Sequence, residues 1–95
     1  MIKHIVFLKV KDGNNEIITS LIDQLNRLPS LIKEIKFYEV GKNISKSQNA
    51  YDVSLISLFE TINDLEIYRS HEQHQKVLSY IKENQIETRV VDYMI

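Results

Sequence analysis

Residues 2–10 read IKHIVFLKV, and this stretch decides the fold because its β-branched and aromatic side chains favour a β-strand. Side chains alternate between the two faces of a strand, so apolar residues fall on both faces of this one. One face carries Ile2, His4, Val6, Leu8 and Val10, and the other carries Ile5 and Phe7. A strand that is apolar on both faces is expected to be covered on both.

The segment after this strand predicts an amphipathic helix. Apolar residues recur at helical spacing from Ile17 to Leu28, with polar residues between them. Asn14 or Asn15 stands where a capping side chain is expected. Pro29 is predicted to stop the helix, because the residue before a proline is disfavoured in helical geometry.

The rest of the chain predicts two strands, a helix interrupted by a break, and a final strand. Asn63, followed by Glu66 three residues later, is predicted to cap the first part of that helix. The resulting order β-α-β-β-α-β predicts a ferredoxin-like α+β domain, in which both helices cover one face of a four-stranded antiparallel sheet. The elements are expected at about Ile32–Asn43, Tyr51–Glu60, Thr61–Ser70, His71 or Glu72 to about Asn84, and Thr88–Met94.

A chain of 95 residues has the length of one domain, predicted to span residues 1–95. Its helices can cover only one face of the sheet, and the other face still carries Ile5, Phe7, Ile56 and Leu58. The sheet of a second copy is the simplest cover for these side chains. The sequence therefore predicts a homodimer whose two sheets face each other.

Composition narrows the classes of function. The 12 basic and 13 acidic residues give a net charge of -1, which argues against a nucleic-acid partner, since phosphate binding needs a clustered basic face. The absence of cysteine excludes disulfides and thiolate zinc sites. No apolar run approaches the ~20 residues of a membrane span, so no membrane partner is expected. The start of the chain, MIKH, lacks the features of a signal peptide, and a cytoplasmic location is expected.

His74 and Tyr68 are the candidate catalytic residues. A neutral imidazole can accept a proton near physiological pH, and a tyrosine hydroxyl can hydrogen-bond a carbonyl or the enolate formed from it. The two residues lie six apart across the predicted helix break, so they can converge on one pocket. The alternative is that both are core side chains whose polar tips are satisfied. His4, on an otherwise apolar strand face, either lines a pocket or is a satisfied core residue.

A metal site is a weaker alternative. His71 and His74 have the i, i+3 spacing of a ligand pair on a helix, and His4 is a possible third ligand. No cysteine or suitably spaced carboxylate completes the set, so neither a metal nor another cofactor is predicted. His71 can instead cap or brace the junction between the two helical segments.

Several segments together resemble the stress-responsive dimeric α/β-barrel family, often called Dabb. They are IKHIVFLKVKD (2–12), Leu28-Pro29, EVGKN (39–43), AYDVSLISLFET (50–61), DLEIYRSHEQHQKV (64–77) and VVDY (90–93). The resemblance implies a homodimeric barrel and, in each subunit, a cavity between sheet and helices. The residues expected to bind a substrate there are His4, Val6, Leu8, Val53, Leu55, Ser57 and His71.

One plant member of this family closes a polyketide by aldol condensation without a cofactor, and the residues matching its catalytic pair are Tyr68 and His74. The chain departs from that member at Glu72, where the family usually has proline, and at Val53, which replaces a pocket histidine. Two functions therefore stay open. The first is binding of a small apolar or aromatic metabolite, and the second is a cofactor-free cyclase or isomerase that uses His74 as general acid/base and Tyr68 as donor. A cofactor-independent oxygenase is a third alternative, by analogy with other dimeric barrels.

Overall fold

The computed structural model describes residues 1–95 and has the predicted α+β order. Four antiparallel strands form one sheet in the order β2-β3-β1-β4, and the helices cover one of its faces. A 3₁₀ turn at Lys11–Gly13 precedes the first helix. The elements are β1 (Ile2–Lys9), α1 (Asn15–Leu31), β2 (Phe37–Lys42), β3 (Val53–Phe59), α2 (Ile62–Ser70), α3 (Glu72–Glu83) and β4 (Glu87–Met94).

The register of the central strand positions the polar residues discussed below. On β1, His4 lies opposite Ser57 of β3 and opposite Asp92 of β4. Residues opposite each other in an antiparallel pair point to the same face, so these three side chains share the helix-covered face. A histidine, a serine and an aspartate are thereby brought side by side under the helices.

The two faces of the sheet differ as the alternation predicts. The even-numbered residues of β1 and the odd-numbered residues of β3 point towards the helices. They form the sheet side of the core. On the opposite face, called the open face here, Phe7 is 48% exposed and Val91 is 60% exposed. The buried side chains that form this core are Ile2, Val6, Leu8, Val10, Ile18, Leu21, Leu25, Leu28, Ile32, Val53, Leu55, Phe59, Leu65, Tyr68, Val77 and Ile86.

The end of α1 corrects the sequence-based boundary. Pro29 lies inside the helix, which continues to Leu31. Proline removes one N–H donor near the end of the helix, but buried Leu28 and Ile32 hold this turn against the core, and the N–H of Ile32 donates to the carbonyl of Leu28. The strand expected from Ile32 therefore begins only at Phe37.

The helix caps were predicted with mixed success. Asn14 caps α1, and its side-chain oxygen accepts from the N–H groups of Glu16 and Ile17. Asn63 does not cap α2, because the helix begins earlier: the Thr61 hydroxyl accepts from the N–H of Asp64 at 3.1 Å. None of the helices combines the length and the hydropathy needed to cross a bilayer.

Candidate functional site

A cavity of about 480 Å³ lies between the sheet and the helices. The polar residues in its wall are His4, Tyr68, Arg69, His74, Gln75 and Thr88. A hollow of about 440 Å³ on the open face, beside Phe7, contains no histidine. Most of the cavity wall is apolar and comes from both layers: Val6, Leu8, Leu25, Leu55, Val77, Leu78, Ile81 and Val90.

The backbone at the α2–α3 junction fixes which ring nitrogen of His74 carries the proton. Its Nδ1 atom lies 3.0 Å from the carbonyl oxygen of Arg69. A carbonyl can only accept, so Nδ1 carries the proton and Nε2 keeps a free lone pair. Burial is the main cause that lowers the pKa of His74 below its ordinary value of 6.5. The imidazole is therefore a neutral group that can accept a proton at Nε2.

Tyr68 lies against this imidazole in the cavity wall. The two ring centroids are 4.3 Å apart, and the Tyr68 hydroxyl lies 2.8 Å from the hydroxyl of Tyr38 on β2. Burial raises the pKa of Tyr68 to about 12 and raises the pKa of Tyr38 further. Both phenols are neutral at physiological pH. Tyr68 has no exposed surface, so contact with a ligand requires a small displacement of its neighbours.

His4 belongs to a second polar group that ties β1, β4 and α2 together. Its Nδ1 atom lies 2.5 Å from one carboxylate oxygen of Asp92, and the other oxygen of that carboxylate accepts from Arg69. Arg69 also donates to Glu66 at 2.7 Å. A carboxylate accepts, so Nδ1 of His4 carries a proton in this contact. Asp92 orients the His4 ring, in the way that carboxylates orient catalytic imidazoles.

Comparison with known proteins identifies the family. Residues 2–95 match the profile of the Stress responsive A/B Barrel Domain, Dabb. This chain belongs to the Dabb family. Among Dabb relatives, the uncharacterized protein SCO4036 of Streptomyces coelicolor is 30% identical over 78 residues, which cover 79% of this chain and 80% of the relative.

Solved structures share the fold of the Dabb chain. A dimeric protein of unknown function with a ferredoxin-like fold from Bacteroides fragilis superposes with a TM-score of 0.86 at 26% identity, covering 99% of this chain and 95% of that one. A hydroxynitrile lyase from Passiflora edulis superposes with a TM-score of 0.84 at 17% identity, covering 99% and 92%. The second likeness, at such low identity, shows the fold alone.

The structure places most of the predicted site residues around the cavity and three of them elsewhere. Val53 and Ser57 are buried but do not line it, and the Ser57 hydroxyl instead lies 3.4 Å from the carbonyl oxygen of His4. His71 also lies outside the cavity wall, because its Nδ1 accepts from the N–H of Gln73 and caps α3. The predicted residues that line the cavity are His4, Val6, Leu8, Leu55, Tyr68 and His74.

Three polar residues around the site were not predicted from the sequence. Asp92 contacts His4, Arg69 donates to the carboxylate of Asp92, and the hydroxyl of Tyr38 pairs with that of Tyr68. Asp92 carried a usable signal, since strand alternation places this charged residue on the covered face with Val90, where it needs a partner. No group of three histidine, aspartate or glutamate side chains converges as a metal site.

Proposed function

We propose that this Dabb chain binds a small, largely apolar or aromatic metabolite that carries an oxygen atom, in the cavity between sheet and helices. The observation that carries the proposal is the composition of the cavity wall, where eight aliphatic side chains are combined with a few polar ones, among them His4, Tyr68 and His74. Ligand sites have this character, because apolar walls supply affinity and a few polar groups fix orientation. The oxygen-bearing end of the ligand lies beside these three residues.

We propose a homodimer as the functional unit. The open face exposes Phe7, Val91 and Tyr93, and a second sheet is the cover that such an apolar face favours. The structurally similar protein from Bacteroides fragilis is dimeric, which supports this assembly. Pairing would bury the open face and leave each cavity under its own helices.

The binding proposal can be tested with 2-acetylnaphthalene as the probe and calorimetry as the readout. Leu78, which is 40% exposed at the cavity wall, is replaced by tryptophan to fill the space. Leu31→Trp is the matched control, because Leu31 is 48% exposed on α1 and lies outside this cavity. We expect saturable binding to the native protein and to Leu31→Trp, and loss of binding in Leu78→Trp. Equal binding to all three proteins, or to none of them, contradicts the proposal.

A second candidate is a cofactor-free enzyme acting on a carbonyl compound, and the protonation of His74 favours it. Nε2 of His74 would remove a proton from the carbon next to the carbonyl and become an imidazolium. The electron pair of the broken C–H bond would move to the carbonyl oxygen, where Tyr68 would donate a hydrogen bond to the enolate. The imidazolium would then return the proton to the carbon. Alternatively, the enolate carbon would attack a second carbonyl and close a ring, and the imidazolium would protonate the alkoxide formed from that carbonyl.

Enolisation has a direct readout that does not require the natural substrate. In heavy water, an enolising protein exchanges the methyl protons of 2-acetylnaphthalene for deuterium, which proton NMR follows. We expect exchange above the buffer rate with the native protein if the enzyme candidate is right. Binding without faster exchange leaves the binding function and removes this candidate.

A further inference from the structure

The imidazole of His74 carries a hydrogen-bond acceptor that no group of the protein uses. Its Nδ1 atom donates to the carbonyl oxygen of Arg69, so the lone pair of the neutral ring lies on Nε2. Nε2 has no hydrogen-bond partner within the protein, whereas every side-chain nitrogen or oxygen atom that is cut off from solvent has one. Nε2 is therefore accessible. Because His74 lines the cavity, a ligand there can reach this acceptor.

The protein holds this ring in place before any ligand binds. The ring of Tyr68 packs against it with the two centroids 4.3 Å apart, and the carbonyl of Arg69 fixes the direction of Nδ1. Burial lowers the pKa of His74, so the ring is neutral at physiological pH and keeps its lone pair on Nε2. An acceptor that is already oriented costs little conformational entropy when a ligand donates to it.

Two donors in the same wall are directed to oxygen atoms of the protein. The guanidinium of Arg69 donates to the carboxylate of Asp92, and the side-chain amide of Gln75 donates to the carbonyl of Arg69 at 2.7 Å. The hydroxyl of Thr88 can donate or accept, so it favours neither kind of ligand. A ligand that brings a hydrogen-bond donor therefore meets an open acceptor at His74, whereas Arg69 and Gln75 are already engaged.

We infer that the ligand oxygen is a hydroxyl group that donates to Nε2 of His74, an inference that rests on the proposed function. The carbon skeleton of such an alcohol or phenol lies against the aliphatic part of the wall. An ether of the same shape has no proton to donate, and its oxygen would face the lone pair of Nε2 without a hydrogen bond. A ketone still binds through the apolar wall, but more weakly than an alcohol. The site thus selects alcohols and phenols among oxygen-bearing apolar molecules.

Calorimetry with a matched pair of probes tests this selectivity at neutral pH. 2-Naphthol and 2-methoxynaphthalene share the ring system and the oxygen atom, but only 2-naphthol carries a donor. The native protein should bind 2-naphthol about three- to tenfold more tightly than the ether, the usual range for one hydrogen bond. His74→Leu should bind the two probes with equal affinity. Gln73→Leu is the matched control on α3, outside the cavity wall, and should keep the native preference.

Nitrogen NMR of the native protein, with isotope-labelled histidine, tests the same contact without a substitution. The expected spectrum shows Nε2 of His74 as the unprotonated ring nitrogen. Its signal should shift saturably with 2-naphthol and stay unchanged with 2-methoxynaphthalene. A proton on Nε2, or a signal that does not respond to 2-naphthol, overturns the inference.

The outcomes separate this inference from the proposed function. Equal affinity of the native protein for the two probes overturns the inference and leaves the proposed function standing. A preference for 2-naphthol that survives in His74→Leu, or that is lost in Gln73→Leu, has the same consequence, because another group then sets the preference. If neither probe binds to the native protein, the proposed function fails and the inference fails with it.

Discussion

The Nδ1 atom of His74 donates to the carbonyl oxygen of Arg69, 3.0 Å away, across the break between α2 and α3. The last carbonyls of a helix have no partner within it, so the end of α2 offers an acceptor at this point. Gln75 donates to the same oxygen at 2.7 Å. The break at His71 therefore provides the backbone carbonyl that sets the tautomer of the His74 imidazole.

The lowered pKa of His74 predicts a dependence of stability on pH. Between the lowered folded-state value and the unfolded value of about 6.5, the unfolded chain binds more protons at this residue than the folded chain does. The free energy of unfolding should therefore fall as pH falls through this window. Urea unfolding at about pH 8 and about pH 5 should show a smaller loss in His74→Gln than in the native protein. An equal loss in both proteins would show that His74 is not buried as described.

Replacing His74 should abolish proton exchange if the chain is an enzyme. We expect His74→Gln to slow the exchange of the 2-acetylnaphthalene methyl protons by about 10²- to 10⁴-fold, the usual contribution of a general base. His71→Asn should keep the native rate, because His71 lies outside the cavity wall and asparagine also caps helices well. If exchange survives the His74 substitution, or disappears in His71→Asn, then a residue other than His74 is the general base.

The cap of α2 gives a matched pair of substitutions. Thr61→Ala removes the hydroxyl that accepts from the N–H of Asp64 and should lower the free energy of unfolding by about 1 kcal/mol. Asn63→Ala, at the position that the sequence pattern favoured, should change it by less than about 0.5 kcal/mol, because Asn63 is exposed and makes no capping bond. Urea unfolding of both variants measures the difference. The reverse order would restore Asn63 as the cap.

The order of the elements was predictable from the sequence, whereas several of their ends were not. Alternation along residues 2–10 and the helical spacing from Ile17 to Leu28 are strong local patterns, and the structure follows both. The end of α1 depends instead on tertiary contacts, because burial of Leu28 and Ile32 keeps the turn around Pro29 helical. A rule about proline that uses only neighbouring residues cannot account for this tertiary packing.

The sequence indicated those site residues whose type is unusual for their position in the predicted secondary structure. His4 on an apolar strand face and the pair Tyr68 and His74 across a helix break could be singled out in this way. The contact between Asp92 and His4 requires the pairing of β1 with β4, whose residues are far apart in the chain. Tyr38 meets Tyr68 only after the sheet and α2 have packed, so no local pattern marks it.

A charged substitution on the open face should disrupt the homodimer. Val91, opposite Ile5 in the register of β1 and β4, is 60% exposed in the single chain and lies on this face halfway along the edge strand β4. Val91→Glu should convert a dimer into monomers, because a dimer would bury the carboxylate without a partner. Ile62→Glu, an equally exposed position on α2, should leave the dimer intact. Sedimentation velocity at micromolar concentration decides, and a native protein that sediments as a monomer rules out the homodimer.

The central claim is that the cavity under the helices, and not the open face, receives the ligand. Titration of methyl-labelled protein with 2-acetylnaphthalene tests it most directly, because isoleucine, leucine and valine methyl groups mark both faces of the sheet. The account predicts saturable shifts at Val6, Leu55 and Val77 and unchanged signals at Ile56 and Val91. Shifts confined to the open face, or no saturable shift at any methyl group, would contradict it.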